Sequence, residues 1–518
     1  MNQLEASRIR QAGTASVGGL FRSRAEASPA HPAIVEAGRQ VSYRECEQRS
    51  NAMAAMLRAR GVGHGDRVAL LSRNCLEYVE LELAAAKCGA IIAALNWRLG
   101  TRELAHCITL VSPTLLIMQA EFDGAVDAID GLDVPRLRIG TELDTAFGAH
   151  HGEPVEIDAG GEDGLIILYT SGTTGLPKGA LVSHRAMVAR AQCYRSEMDV
   201  PVGDNFVAWA PMYHMASTDH MLATLMSGGT VYPVDGYDAD RLIDVLETVP
   251  MRYLIVMPGM VGDFASRLRA RKAKVVGVGI CGAMADLVPA DDIAAITAAL
   301  DAPYLNTFGA TETGFPPATG ALLDIGVPPR NLAKRQSAFC EIKLVDPEGR
   351  VVPVGEPGEV AVRGPTVFSG YWENEETNLH DFRDGWFHMG DVLRRNPDGT
   401  LDYVDRVKYL IKSGGENIYP AEVEAVLKQH PAVAEAVVVR QADPTWGEVP
   451  VAFIVTIDDE LTVGDLEACC REALARYKHP KQYHVVPDTD IPRSTTGKIQ
   501  RHHLESRLRS AAPGTGGV

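Results

Sequence analysis

Tyr169-Thr170-Ser171-Gly172-Thr173-Thr174-Gly175-Leu176-Pro177-Lys178-Gly179 is the stretch on which the reading of this chain turns. An apolar run at 165–168 precedes it and reads as a buried strand. Residues 180–184 follow, and then a helical pattern, so the stretch is a loop leaving a strand. Around Lys178 it gathers four Ser/Thr hydroxyls and the glycines 172, 175 and 179. Glycine lets backbone N–H groups turn toward an anion, hydroxyls add donors, and the lysine adds charge. That is the chemistry of a polyphosphate cradle. The Walker P-loop closes on Gly-Lys-Ser/Thr; here Pro177 precedes Lys178 and Gly179 follows it, so that pattern fails.

Bulk properties bound the rest. A chain of 518 residues is too long for one compact core and predicts two or more domains. The charge, 50 − 67 = −17, is spread without long acidic blocks and argues against a nucleic-acid surface. Nine cysteines show no C-x-x-C pair; Cys469 and Cys470 sit in a helical pattern and read as packing residues. An odd count without a framework suits a reducing cytoplasm, the expected location. No apolar run approaches 18 residues, so no membrane span is expected. No charged-then-apolar leader precedes the first elements, and 513–518 reads as a frayed tail.

Outward from the loop, elements alternate. Helices are predicted over 20–27, 44–60, 77–88 and 101–110, and strands over 33–36, 40–43, 67–71, 91–95 and 115–119. Beyond the loop, strands at 230–233 and 253–257 enclose a helix at 240–249. Strands separated by helices of this length mean a mostly parallel sheet and an α/β class. After Asn331 short alternating runs at 341–345, 358–362 and 401–404 are separated by turn signals, which predicts a β-rich subdomain. Past Asp405-Arg406 the pattern changes again. A helix opened by Pro420 runs to about 429. Strands follow at 434–440 and 450–456, then a helix over 462–477 and a strand at 482–487. The expected organisation is a large domain over 1–405 and a small α/β domain over 406–518 with three strands.

The loop resembles the phosphate loop of the adenylate-forming family, which includes acyl- and aryl-CoA synthetases, firefly luciferase and peptide-synthetase adenylation domains. Further motifs extend the resemblance, in the family's order, over about 16–505. Pro211-Met212-Tyr213-His214 resembles the family's aromatic-His element at the acid pocket. Asn306-Thr307-Phe308-Gly309-Ala310-Thr311-Glu312 resembles its aromatic-Gly-x-Thr-Glu element, with Phe308 where tyrosine is usual. Trp386-Phe387-His388-Met389-Gly390-Asp391 and Asp405-Arg406 resemble its two ribose elements. Lys412-Ser413-Gly414-Gly415-Glu416 resembles the glycine loop of the CoA-ligase branch, and Arg493-Ser494-Thr495-Thr496-Gly497-Lys498 the catalytic-lysine loop.

The resemblance implies roles. ATP would meet Thr170, Ser171, Gly172, Thr173, Thr174, Gly175, Lys178, Thr307, Phe308, Gly309, Thr311, Asp391, Arg406 and Lys498. Thr170 and Glu312 would share Mg²⁺, which takes oxygen ligands and keeps several waters. Asp391 suits ribose because a carboxylate is acceptor-only and takes both hydroxyls. Lys498, Glu312 and His214 are the catalytic candidates. His214, Met215, Ala216, Ser217, Met257, Cys281, Phe308, Thr313 and Phe315 are the acid-pocket candidates, a mainly apolar set with adaptable methionines. Gly414, Gly415, Glu416, Tyr477 and Lys478 would face CoA, and Lys408 would be the hinge of a small-domain rotation.

The implied activity is an ATP-dependent carboxylic acid–CoA ligase working through an acyl-adenylate on an aryl or medium-chain aliphatic acid. ATP, Mg²⁺ and coenzyme A are the implied small-molecule partners, and a homodimer is compatible with the sequence. Peptide-synthetase adenylation domains hold the substrate amine with an aspartate in a Phe-Asp-x-Ser context; that context is absent, which speaks against an amino acid. A ligase loading a carrier protein, a luciferase-like oxygenase and a non-catalytic nucleotide-binding relative remain as alternatives. The last of these should have lost Lys498, Glu312 or Asp391, and all are present. Thr218-Asp219-His220 directly follows the acid-pocket element and is expected to be partly buried, with Asp219 either paired to a cation or facing the acid.

Overall fold

A computed structural model describes residues 13, 15–157, 159–170, 176–414, 416–458, 461–493 and 499–511. The chain divides into two compact units, 1–342 with 362–387, and 343–361 with 388–518. This grouping places 343–361 and 388–405 with the C-terminal region, unlike a cut at 405.

In the first unit the early strands are β1 (Pro32–Glu36), β2 (Arg39–Ser42), β3 (Arg67–Leu71), β4 (Ile91–Ala94), β5 (Leu115–Met118), β6 (Arg136–Arg138), β7 (Gly164–Thr170) and β8 (Lys178–Ser183). After them come β9 (Asn205–Ala208), β10 (Thr230–Pro233), β11 (Met251–Leu254), β12 (Val278–Cys281), β13 (Tyr304–Ala310) and β14 (Gly314–Leu323). They form three sheets, in the orders β2-β1-β10-β9, β6-β5-β3-β4-β7-β8 and β11-β12-β13-β14. Each is parallel except for one antiparallel strand at an edge: β2, β8 and β14.

The local sequence explains these elements. Helix Tyr43–Ala59 starts in a capping box, with Ser42 Oγ accepting from Glu45 N–H and a Glu45 carboxylate oxygen accepting from Ser42 N–H. Helix Leu76–Cys88 stops at Gly89, in the left-handed region at φ +68°. Every residue of β4 and β5 is buried, as parallel strands covered on both faces require. Ala69 and Leu71 of β3 pack with Leu104, Cys107 and Ile108 of helix Thr101–Val111.

One sequence expectation changes here. The end of the phosphate stretch and the residues after it, read as loop, form a second strand, β8, which pairs antiparallel with β7, Ile167 opposite Leu181. Helix His184–Glu197 starts only after β8, capped by Ser183.

The second unit holds most of a sheet that contains β15 (Glu341–Val345), β16 (Pro357–Arg363), β17 (Trp386–Arg395) and β18 (Leu401–Arg406), paired in that order. A second sheet follows, built from β19 (Ile411–Ser413), β20 (Glu416–Ile418), β21 (Val433–Asp443), β22 (Gly447–Thr456) and β23 (Gln482–Val485). The expected three strands are therefore five, because 411–418 folds into a short hairpin rather than a bare glycine loop and adds β19 and β20. Alternate residues of β21 and β22 serve two cores. Ala436, Val438, Ala452 and Ile454 pack with Val423, Leu427 and Leu466. Val437, Val439, Val451 and Phe453 pack with Leu504 and Leu508. The helix expected over 462–477 ends at Ala473, and Arg476–Lys478 forms a separate 3₁₀ turn.

All nine cysteines are free thiols. No helix among the described residues is long and apolar enough to cross a membrane.

Candidate active site

In the first unit several of the residues expected to meet ATP gather around β7 and β8. Their last backbone pair joins Thr170 to Lys178. Ser171, Gly172, Thr173, Thr174 and Gly175 lie outside the described residues. Segment 369–372 runs beside β8. Ser369 N–H donates to Leu181 O at 2.7 Å, Leu181 N–H to Gly370 O at 3.0 Å, and Trp372 N–H to Gly179 O at 2.7 Å. This lays the Tyr371 ring against Lys178, whose Nζ is 4.9 Å from the ring centroid. The Tyr371 hydroxyl donates to Glu312 Oε1 at 2.7 Å.

Glu312 is buried, at 9% exposure, and its main-chain carbonyl accepts from Phe368 N–H at 2.8 Å. Tyr371 engages Oε1, which leaves Oε2 for another partner. The Thr170 hydroxyl and the Glu312 carboxylate are hard oxygen donors, so their chemistry fits magnesium. Among the described residues no group of three or more His, Cys, Asp or Glu could hold a metal ion. A magnesium ion carried by phosphates needs no such cage.

The aromatic-Gly-x-Thr-Glu element lies on β13 and the turn after it. Phe308 is buried and pairs with Ala318 of β14. At Gly309 a Cβ would fall 2.1 Å from Gly314 O, so only glycine fits there. Thr307 Oγ1 accepts from Met284 N–H at 3.0 Å. Thr311 offers its carbonyl to Arg190 Nη2 at 3.0 Å.

On the acid side, His214 caps helix Met215–Met226, its Nδ1 accepting from Ala216 N–H at 3.2 Å. This bond requires a lone pair on Nδ1 and so sets the tautomer. Met215 and Ala216 are buried beside it, and Met257 and Phe315 are half-buried. Phe315 lies on His220, ring centroids 4.4 Å apart, in a buried aromatic cluster with Tyr194, Phe206 and Tyr253. Burial pushes the His220 imidazole down to about 3.

Three further acid-pocket candidates are buried, two of them with backbone partners. Ser217 is 1% exposed and its hydroxyl donates to Ala210 O at 2.6 Å. The Thr313 hydroxyl bonds the neighbouring backbone at Ala310 and Gly314. Cys281 is fully buried on β12, where burial raises its thiol.

Asp219 takes the paired option, with Arg190 Nη1 3.2 Å from Oδ2. Burial raises its carboxyl, and Arg190 opposes that rise.

In the second unit, Asp391 and Arg406 face each other across β17 and β18, and Arg406 Nε lies 3.0 Å from Asp391 Oδ1. Asp405 is buried and accepts from Arg406 N–H at 2.7 Å and Ala421 N–H at 2.8 Å, the latter at the start of helix Pro420–Leu427. Lys408 lies in the 3₁₀ turn Val407–Tyr409, and its carbonyl accepts from Arg440 Nη2 at 2.7 Å.

Gly414 has φ +59° between β19 and β20, and its N–H donates to Trp446 O at 2.8 Å. A Cβ there would lie 2.7 Å from the Trp446 ring. Gly415 and Lys498 are outside the described residues; Arg493 and Ile499, on either side of 494–498, pair as an antiparallel bridge. Glu416 and Tyr477 are exposed, whereas Lys478 is bonded to Glu422 at 2.6 Å.

Sequence reasoning missed Tyr371, Arg190 and Trp446. Only Tyr371 carried a signal, as part of Gly370-Tyr371-Trp372, an aromatic pair after a glycine. Arg190 and Trp446 look like ordinary residues of a helix and a turn.

Comparison with known proteins shows the family. The family model described as AMP-binding enzyme matches residues 21–372, and that of the AMP-binding enzyme C-terminal domain matches residues 422–498. A feruloyl-CoA synthase of an Amycolatopsis species is 35% identical over 501 residues, covering 94% of this chain and 97% of that enzyme. A fatty acid–acyl-carrier-protein ligase, ScoC of Streptomyces coeruleorubidus, is 32% identical over 511 residues, covering 93% of this chain and 95% of its own. The structure of ATP-bound MatB from Rhodopseudomonas palustris aligns with a TM-score of 0.83 at 26% identity, covering 96% of this chain and 100% of that one.

Proposed function

The chain belongs to the family of AMP-binding, adenylate-forming enzymes, and on that premise we propose that it joins an aryl or medium-chain aliphatic acid to CoA, through an acyl-adenylate. One observation carries this reading: a chain that matches both family models retains Glu312, Asp391 and Lys498 together.

A carboxylate and a triphosphate repel each other, so neutralising charge is the first task. Lys178 and the loop hydroxyls would hold the outer phosphates, and Thr170 and Glu312 would hold magnesium. When bound, magnesium spreads the phosphate charge. Asp391 would accept from the ribose hydroxyls, with Arg406 beside it holding a fixed positive charge. Lys498 would bridge the attacking carboxylate oxygen and the α-phosphate as charge develops. The carboxylate oxygen bonds to the α-phosphorus, and the bond to pyrophosphate breaks. In the second step the CoA sulfur bonds to the acyl carbon and AMP leaves. Splitting the reaction turns one difficult displacement into two easier ones.

The two steps need different surroundings, so the small domain, 406–518, would turn about Lys408 between them, exchanging the Lys498 loop for the Gly414–Gly415 face. Met215, Ala216, Met257, Phe308 and Phe315 would form the apolar walls of the acid pocket, with His214 at its edge.

The likeness to a carrier-protein ligase favours a second reading, in which the acyl group passes to a carrier's pantetheine thiol. A panel of aryl and C6–C12 acids, assayed for pyrophosphate release and acyl-thioester mass with CoA or with an acyl-carrier protein, separates the two. Faster turnover with free CoA supports the first reading, and turnover only with the carrier supports the second.

A further inference from the structure

Tyr371 belongs to none of the sequence motifs, yet it touches Lys178, assigned to ATP, and Glu312, assigned to magnesium. We infer that Tyr371 is a positioning residue that holds Glu312 and Lys178 ready for a magnesium–triphosphate, through its hydroxyl and its ring respectively. The inference rests on the proposed role of Glu312 toward the metal ion.

The chemistry of each contact suits that task. A carboxylate at 9% exposure needs hydrogen bonds to stay ordered. The Tyr371 hydroxyl, 2.7 Å from Oε1, supplies one without adding charge. An arginine or lysine in its place would neutralise the carboxylate and compete with a cation for it. Lys178 presents the mirror case. An aromatic face at 4.9 Å attracts the ammonium electrostatically while occupying none of its three N–H donors. A carboxylate partner would cancel the charge a phosphate needs. One uncharged side chain thus orders an anion and a cation and leaves both charges intact.

Tyr371 is itself fixed. Its N–H donates to Asn378 Oδ1 at 2.7 Å, and Asn378 Nδ2 donates to its carbonyl at 2.8 Å. Its backbone forms an antiparallel bridge with Ala180, within the strand that begins at Lys178. Phe368 packs edge-on against the ring at 4.9 Å. Gly370 before it has φ +102°, a conformation that favours glycine. Preorganisation of this kind is what a positioning role requires.

The test is calorimetric binding of ATP with magnesium, and of ATP in EDTA, to wild type, Y371F, Y371L and E312Q. Y371F is expected to weaken magnesium–ATP binding by about tenfold, the scale of a hydrogen bond to a charged group, and to leave metal-free ATP within about twofold. Y371L removes the ring as well and is expected to weaken both forms. An unchanged ratio of the two affinities in Y371F, or equal loss of both, overturns the inference. An unchanged ratio in E312Q overturns the metal role of Glu312, and the inference with it. Y371F loses a single hydroxyl, so it decides the matter even where Y371L does not fold.

Discussion

Arg190 Nη1 donates to Asp219 Oδ2 at 3.2 Å with both side chains buried, and the same guanidinium donates to Thr366 O at 3.1 Å and Thr311 O at 3.0 Å. One arginine thereby ties helix Met215–Met226, which starts at His214, to the turn that carries Glu312. A buried ion pair with one member neutralised leaves an uncompensated charge, at a cost of about 3–5 kcal/mol. Asp219→Asn keeps the shape and one acceptor, so the lower end of that range is expected, read as a lower denaturant midpoint. Activity should fall alike across acids. A reordered preference among acids at an unchanged midpoint would show that Asp219 meets the substrate instead.

His220 predicts a pH dependence. Burial lowers its folded pKa to about 3, while in the unfolded chain it titrates near its usual 6.5. Between those values the unfolded state binds the extra proton, so stability is full above about 6.5 and falls as pH drops. The slope approaches about 1.4 kcal/mol per pH unit for one such group. Urea unfolding at pH 7 and pH 5.5 should show a smaller loss in His220→Gln than in wild type, by about 1 kcal/mol. Equal losses would mean that His220 titrates alike in the folded and unfolded chains.

Lys408 is held by Arg440, whose Nη2 donates to its carbonyl and whose Nε donates to Glu505 at 3.2 Å. Proline fixes φ near −65° and removes an N–H, which restricts rotation at this position. Lys408→Pro is expected to form acyl-adenylate at a near-normal rate and to transfer it to CoA slowly. Quench-flow measurement of each half-reaction decides it; equal slowing of both steps in a folded variant would remove Lys408 as the hinge.

Lys498→Ala should do the opposite. Losing one preorganised charge costs about 3–4 kcal/mol in the transition state, or roughly 10²–10³ in rate. Adenylation is expected to fall by that factor while a supplied acyl-adenylate still reacts with CoA. Equal loss in both steps would sink the division of labour between the two loops.

Much of this protein was legible in its sequence because the signals were local. Parallel strands such as β4 and β5 show as short apolar runs, and the helix expected over 44–60 stops just before a glycine, Gly61. The phosphate stretch carried the family resemblance in its residue types alone, and the matching family model spans it. What stayed hidden depends on pairing between distant segments. β8 reads as part of a loop because only its register with β7 makes it a strand. The hairpin 411–418 hides behind its glycines for the same reason. Tyr371 lies 59 residues from Glu312 in sequence, so no spacing could connect them. Ser217 and Cys281 are both buried, and the bond from the Ser217 hydroxyl to Ala210 O has no local signal in the sequence.

Adenylate formation is the central claim, and labelled-pyrophosphate exchange into ATP tests it most directly. The enzyme is incubated with ATP, magnesium and an acid found active in the panel, with CoA left out. Acid-dependent exchange is expected, because a reversible first step returns pyrophosphate to ATP without any thiol, and AMP is expected as the product once CoA is added. Exchange that is absent without CoA, together with release of ADP and phosphate in its presence, would contradict it.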